Sequence, residues 1–290
     1  MTISQDSSAP LAVLAGITGL QGGSVARALL ESDKPYRIRG LTRDSTRPVA
    51  QAFAAQGIQI VGVLLTVDNE IAEGKMLVDI TKDAGVKLLI WSALESLSAL
   101  SGGKFPGVAF FDAKGEVTDY AKQSGVPLAV VEAGYYATNI FEASYALKKQ
   151  PDGSFVFGLP VPPTTVVPVI DVGHDYGLYV RAAIEDSTLG AGSEVQSGTL
   201  ISFGEMVTTL AEVSGKKITY LELNRDAFIE ATGMPEYGSM LADIFQAFAI
   251  YGCKSSHYGP KVITNPRLLA RPLRSWADFL EVNPVQELLS

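Results

Sequence analysis

Residues 11–30, LAVLAGITGLQGGSVARALL, set an apolar run of strand length against a cluster of glycines and then a helical pattern. Few folds accommodate that order. Gly16, Gly19 and Gly22 have GxxGxxG spacing, directly after a strand predicted over 11–16 and directly before a helix predicted over 23–33. In that helix Val25, Ala28, Leu29 and Leu30 recur at helical spacing. The first glycine permits a tight turn, the second lets the backbone approach a pyrophosphate, and the third lets helix and strand pack closely. The helix N-terminus adds free N–H groups and the positive end of a dipole. A glycine trio alone is only a flexible turn; with these flanks it reads as a dinucleotide loop.

Beyond residue 33 the alternation of strand and helix continues. YRIRGLT (36–42) is a strand, and RPVAQAFAAQG (47–57) is a helix with Pro48 in its first turn and Gly57 at its end. IQIVGVLL (58–65) completes one βαβαβ half. A helix over 68–85, a strand over 86–93, a helix around 112–125 and a strand over 127–134 make the second half. The expectation is an α/β, doubly wound parallel sheet, with 11–16 buried on both faces. After about residue 150 the texture changes to the proline- and turn-rich PDGSFVFGLPVPPTTVVPVID, then to mixed helices and short strands. That half predicts a smaller α+β cap over the carboxyl edge of the sheet. In it SFGEMVTTLAEVSG opens with a Ser and a Glu three residues on, a capping box.

The second strand decides between dinucleotides. NAD-binding loops are followed, about 20 residues on, by an acid that holds the ribose 2′-OH. Here the strand ends LTRDSTR: Thr42 stands at the acid's place, Arg43 is next to it and Arg47 is one helical turn on. A 2′-phosphate would meet positive charge there, so NADP(H) is favoured, with Asp44 as a competing ribose acceptor.

Charge and residue counts narrow the class. A formal net charge of -8 and a pI near 4.9 argue against broad contact with nucleic acid or an anionic membrane. The polar start MTISQDSSAP is not a signal peptide and no apolar run is long enough to span a bilayer, which points to the cytoplasm or nucleus. The single cysteine, Cys253, reads as a buried thiol. The only histidines, His174 and His257, lack metal-ligand spacing, and no GxSxG elbow is present. His174 reads as a capping or packing residue near the start of its helix.

GITGLQGGSVARALL, LTRDSTR, GKMLVDITKDAGVKLLIWSALESL and FFDAKGEVTDYAKQSGVPLAVVEAGYYATNIF resemble the NmrA-like family, atypical members of the short-chain dehydrogenase/reductase superfamily. The resemblance runs from about residue 11 to 180 and continues more loosely to the end. It implies an NADP-binding Rossmann domain over 9–154 and a smaller C-terminal domain over 155–290 with segments returning to the sheet. It places Gly16, Thr18, Gly19, Gln21 and Gly22 on the pyrophosphate and Arg43 and Arg47 on the 2′-phosphate. Lys114 falls by the nicotinamide ribose; Tyr135, Tyr136 and Asn139 fall over the nicotinamide end. The family includes regulators of nitrogen metabolism and redox sensors that bind other proteins, such as a transcription factor, and it includes or neighbours NADPH-dependent reductases.

A short-chain reductase ordinarily donates its proton from a Tyr four residues before a Lys, beside a Ser on a neighbouring strand. Ser92 and Lys114 are present, but Phe110 stands four before the lysine and has no ionisable proton. Tyr145 and Lys149 have the spacing but follow the last core strand, so that match reads as accidental. Lys114 itself, or a water held by Ser92, is the remaining acid. Three readings stand: a regulator sensing NADP(H), an NADPH-dependent reductase of a small organic substrate, and an interaction scaffold without cofactor.

The resemblance also exposes a gap. Between the strands 58–65 and 86–93 the family has a helix, a core strand and a second helix, where this chain has TVDNEIAEGKMLVDITKDAG. One core β–α unit is missing, the one whose strand would adjoin the first strand. Either that place is empty or a later strand moves into it. If it is empty, a loop beside the cofactor is gone too, and affinity for NADP(H) falls.

Overall fold

The computed structural model describes residues 3–4, 6–63, 70–142, 145–252, 255–256, 259–260, 262–263, 268–283, 285 and 289. The first half runs β1 (Leu11–Ala15), α1 (Leu20–Leu30), β2 (Arg37–Thr42), α2 (Pro48–Ala55), β3 (Gln59–Gly62), α3 (Glu70–Asp83) and β4 (Leu89–Ala93). It continues through α4 (Leu97–Leu100), α5 (Ala109–Ser124), β5 (Leu128–Glu132), β6 (Tyr135–Tyr136), α6 (Asn139–Glu142) and β7 (Leu147–Lys149). The second half holds β8 (Phe155–Leu159), β9 (Val166–Ile170), α7 (Val172–Glu185), β10 (Glu194–Gln196), β11 (Thr199–Ser202), α8 (Phe203–Ser214) and β12 (Ile218–Glu222). Then come α9 (Arg225–Thr232), α10 (Pro235–Tyr251), the two-residue strands β13 (Ser255–Ser256), β14 (Gly259–Pro260) and β15 (Val262–Ile263), and α11 (Trp276–Val282). The α/β class holds, and boundaries shift by a few residues at strand and helix ends: α1 begins at Leu20, so Gly22 lies within it and not before it, and α5 begins at Ala109. Cys253 and His257 lie outside the described residues.

The parallel sheet is split. One piece has the order β1-β2-β3 and the other β15-β10-β5-β4. Among the described residues β1 pairs only with β2, and β4 only with β5. Among the described residues no later strand lies beside β1, and none of them fills the place of the missing unit. The C-terminal half nonetheless returns to the fold, since β10 adds to β5 in parallel and α7 lies along α1. The approach of those helices is close: a Cβ on Gly177 would come within 2.1 Å of the Ser24 carbonyl oxygen. The Ser24 hydroxyl accepts the Gly177 N–H at 2.9 Å in that contact. Val25, Leu29, Tyr176 and Val180 bury the sheet face beneath them.

One expectation fails here. β1 is not buried on both faces: Leu11 is 41% and Val13 53% exposed. Ala12 and Leu14 pack towards α1 and α7, but among the described residues no helix covers the opposite face. α3 covers the other sheet instead, with Gly74 close against Val117 of α5 and Val78 fully buried. A run of apolar residues predicts burial only while both neighbouring layers exist, and the missing unit removes one of them. Strands β6 to β9, β11 and β12 form two three-stranded sheets packed with α8, α9, α10 and α11 around a second core that includes Phe203, Phe228, Phe245 and Phe279, while β13 pairs with β14. The predicted capping box is present at Ser202 and Glu205, at the start of α8.

Candidate functional site

The glycine loop is built as its sequence requires. Gly16 has φ +71°, a left-handed conformation that disfavours other residues, and its N–H and that of Ile17 donate to the Leu41 carbonyl at 3.0 and 3.2 Å. A Cβ on Gly22 would lie 2.3 Å from the Gly16 oxygen, so the start of α1 can fold back over the loop only with glycine there. Gly19 is the N-cap of α1, with no side-chain cap and no acidic residue in the first turn. Its first N–H groups therefore meet neither a capping oxygen nor a repelling carboxylate, the condition for holding an anion.

The end of β2 lies against this loop through a hydrogen bond between the Thr18 and Thr42 hydroxyls at 3.1 Å. Arg43 and Arg47 follow, both exposed, and neither forms an ion pair among the described residues. Asp44 is turned into its own loop: one carboxylate oxygen accepts from the Thr46 N–H at 2.8 Å and hydroxyl at 2.6 Å. Those bonds hold its carboxyl below the usual carboxylate range and occupy one of its two oxygens.

On the other side of the loop, Gln21 makes a bridge. Its amide nitrogen donates to the Tyr136 hydroxyl at 2.8 Å, and its amide oxygen accepts from the Ser92 hydroxyl at 2.9 Å. Helix α1, strand β4 and strand β6 are joined at one point by residues 71 and 115 apart from Gln21 in sequence. Burial pushes the Tyr136 hydroxyl above its ordinary pKa, with the Gln21 bond acting in the opposite direction, so the phenol stays a donor at neutral pH. Tyr135 is raised to about 12, chiefly by burial, against hydrogen bonds to Tyr145 and Asn139. Tyr145 is raised further by burial and by Tyr135.

These residues open onto a cavity of about 430 Å³. Gln21, Ser92, Lys114, Tyr135, Tyr136 and Asn139, all predicted, line it together. Gly16, Thr18, Gly19, Gly22, Arg43 and Arg47 do not; they form the loop and strand end that Gln21 connects to it. The far wall, which the sequence did not announce, comes from α10 as Tyr237, Leu241, Phe245 and Phe248, with Tyr145 and Gln196. The sequence marks Tyr145 only by its spacing to Lys149. In the fold Lys149 instead lies near the Phe155 ring on the exposed end of β7, so the two do not act as a pair.

Lys114 is held on two sides. Its ammonium is 2.8 Å from Glu70 and 4.9 Å from the centroid of the Trp91 ring. Phe110 reaches the same cavity, 42% exposed and edge-on to Phe111, and brings no proton. His174 sits instead at the start of α7, where Asp175 and Arg271 surround it. Among the described residues no group of His, Cys, Asp or Glu could hold a metal ion, and no helix is long and apolar enough to cross a membrane.

Known proteins share both the sequence pattern and the fold. The model of the NmrA-like family matches residues 60–263. An NmrA-like family domain-containing oxidoreductase, malD of Malbranchea aurantiaca, is 29% identical over 262 residues, 75% of this chain and 77% of malD. Because 262 aligned positions take up only 75% of a 290-residue chain, several tens of positions in malD have no counterpart here. The nitrogen metabolite repression protein nmr of Neurospora crassa is 31% identical over 141 residues, 48% of this chain but only 28% of nmr. Among solved structures, the negative transcriptional regulator NmrA in complex with NADP superposes with a TM-score of 0.73 at 21% identity, covering 97% of each chain. NmrA in complex with NAD gives a TM-score of 0.74 at 22% identity, again covering 97% of each chain.

Proposed function

The chain belongs to the NmrA-like family, and from that premise we propose that it is an NADP(H)-binding regulator that reports the NADPH/NADP balance through its contacts with another protein. One observation carries the reading: an uncapped glycine-loop helix stands beside two exposed arginines at the end of β2. The close fit at Gly22 is the cradle such a ligand needs. Gly16, Thr18, Gly19, Gln21 and Gly22 would hold the pyrophosphate, and Arg43 and Arg47 the 2′-phosphate. Lys114, Tyr135, Tyr136 and Asn139 would face the nicotinamide end. NmrA has been solved with NADP and with NAD, which supports a dinucleotide; the arginines favour the phosphorylated one.

Phe110 and the Lys114–Glu70 pair favour a signal over a reagent, since neither offers a free acid beside the cavity. A partner such as a transcription factor fits this role, in the cytoplasm or nucleus. Fluorescence titration with NADPH, NADP and NADH tests the reading. Saturable NADPH binding, tighter than NADH, is expected; no saturation, or preference for NADH, overturns it.

The cavity favours a second reading. Its volume of about 430 Å³ suits a small organic molecule, and oxidoreductases stand among the relatives. A bound nicotinamide would supply hydride, with Lys114 as the proton donor and Ser92 ordering a water. Substrate-dependent NADPH oxidation, lost in Lys114→Ala with NADPH binding retained, would establish it.

A further inference from the structure

Two surfaces with exposed apolar residues lack a cover among the described residues, and their chemistry is complementary. The first is the outer face of the β1–β3 sheet. The parallel register sets Leu11 beside Arg37 and Val13 beside Arg39, and Arg39 beside Gln59, so these residues share that face. Arg39 donates from Nε to Gln59 at 2.8 Å, but its guanidinium has no carboxylate partner among the described residues. The surface is apolar with a basic centre.

The second is the outer side of α3. Gly74 and Val78 face α5, and helical spacing puts Glu73, Met76, Ile80 and Asp83 on the opposite side. Met76 is 38% and Ile80 55% exposed. Glu73 and Asp83 flank them within one turn, and neither has an ion-pair partner among the described residues. Of the helix's lysines, Lys75 is paired with Glu116 and Lys82 lies off the stripe. This surface is apolar with acidic ends. α3 cannot cover its own chain's first sheet, because its inner side is already committed to Val117 and the second sheet.

We propose that the two surfaces pair between copies: α3 of one copy lies on the β1–β3 face of a second, with Met76 and Ile80 against Leu11 and Val13. Glu73 and Asp83 then meet Arg37 and Arg39. A two-fold axis makes the exchange reciprocal, so each copy contributes one helix and one sheet face, and the assembly closes as a dimer.

Sedimentation equilibrium of the full chain at micromolar concentration tests this. The wild type is expected to be dimeric. Ile80→Glu and Arg39→Glu should each raise the dissociation constant about tenfold or more. Asp83→Arg should do the same, and combining it with Arg39→Glu should restore much of the association by re-pairing the charges. Ile80 and Asp83 are exposed, so their variants keep the monomer fold, and far-UV circular dichroism checks all of the variants, including those at the half-buried Arg39. A wild type that stays monomeric overturns the proposal. So does a dimer indifferent to Ile80→Glu, or one that responds to Ile80→Glu but not to Arg39→Glu.

Discussion

The Gln21 amide donates to the Tyr136 hydroxyl at 2.8 Å, tying the first turn of the glycine-loop helix to the segment after β5. Gln21→Leu keeps the volume and removes this bond together with the one from Ser92. Two half-buried hydroxyls then lose their partner, at a cost of about 1–3 kcal/mol. Tyr136→Phe removes one bond and should cost about 1 kcal/mol. Urea unfolding measures both, and equal stability of Gln21→Leu and wild type would show that the bridge contributes nothing.

Gly22→Ala sets a methyl against backbone that has nowhere to go, 2.3 Å from the Gly16 oxygen and 2.9 Å from the Ile17 Cα. A loss of at least about 2 kcal/mol is expected, with loss of NADPH binding. Gly23→Ala is the control, because its new Cβ meets nothing nearer than 3.4 Å. Indistinguishable melting of the two variants would refute the steric account.

Arg43→Ala and Arg47→Ala should weaken NADPH roughly tenfold each while leaving NADH affinity within about twofold, since NADH has no 2′-phosphate to lose. Both side chains are exposed, so NADPH affinity should also fall with added salt more steeply than NADH affinity. A parallel loss for both dinucleotides would place the arginines elsewhere on the ligand.

Alkaline titration should separate the tyrosines. Burial, followed by the charge of Glu185, raises Tyr36 to about 12, and burial raises Tyr135 and Tyr179 to about 12. A phenol raised in the folded state stabilises the protein fully below the ordinary value of 10, and that contribution is lost as pH rises towards 12. Absorbance at alkaline pH should thus show a delayed class of tyrosines that titrates normally in denaturant. Identical native and denatured curves would rule this out.

Much of the first half was legible because its signals are local. A glycine that must turn, a helix without a capping acid and two arginines after a strand are each set by a few neighbouring residues, and the loop forms from Gly16 to Gly22 as its spacing requires. The shortened crossover between β3 and β4 was equally visible, because it is a matter of length. The cavity's far wall was not: Tyr237, Phe245 and Phe248 lie on a helix whose apolar residues have the spacing of ordinary core packing, and nothing local tells a cavity wall from a core.

The sequence by itself determined which segments alternate as strand and helix and where a glycine loop opens a helix, and its resemblance to the family marked one β–α unit as absent. Only the tertiary structure decided what the absence does. LAVLA reads as a doubly buried strand from its composition, yet Leu11 and Val13 face outward, because burial belongs to the layers on either side of a strand. Likewise Gln21, Ser92 and Tyr136 acquire a common role only through hydrogen bonds that span 71 and 115 residues, a relation that close packing creates and sequence spacing cannot express.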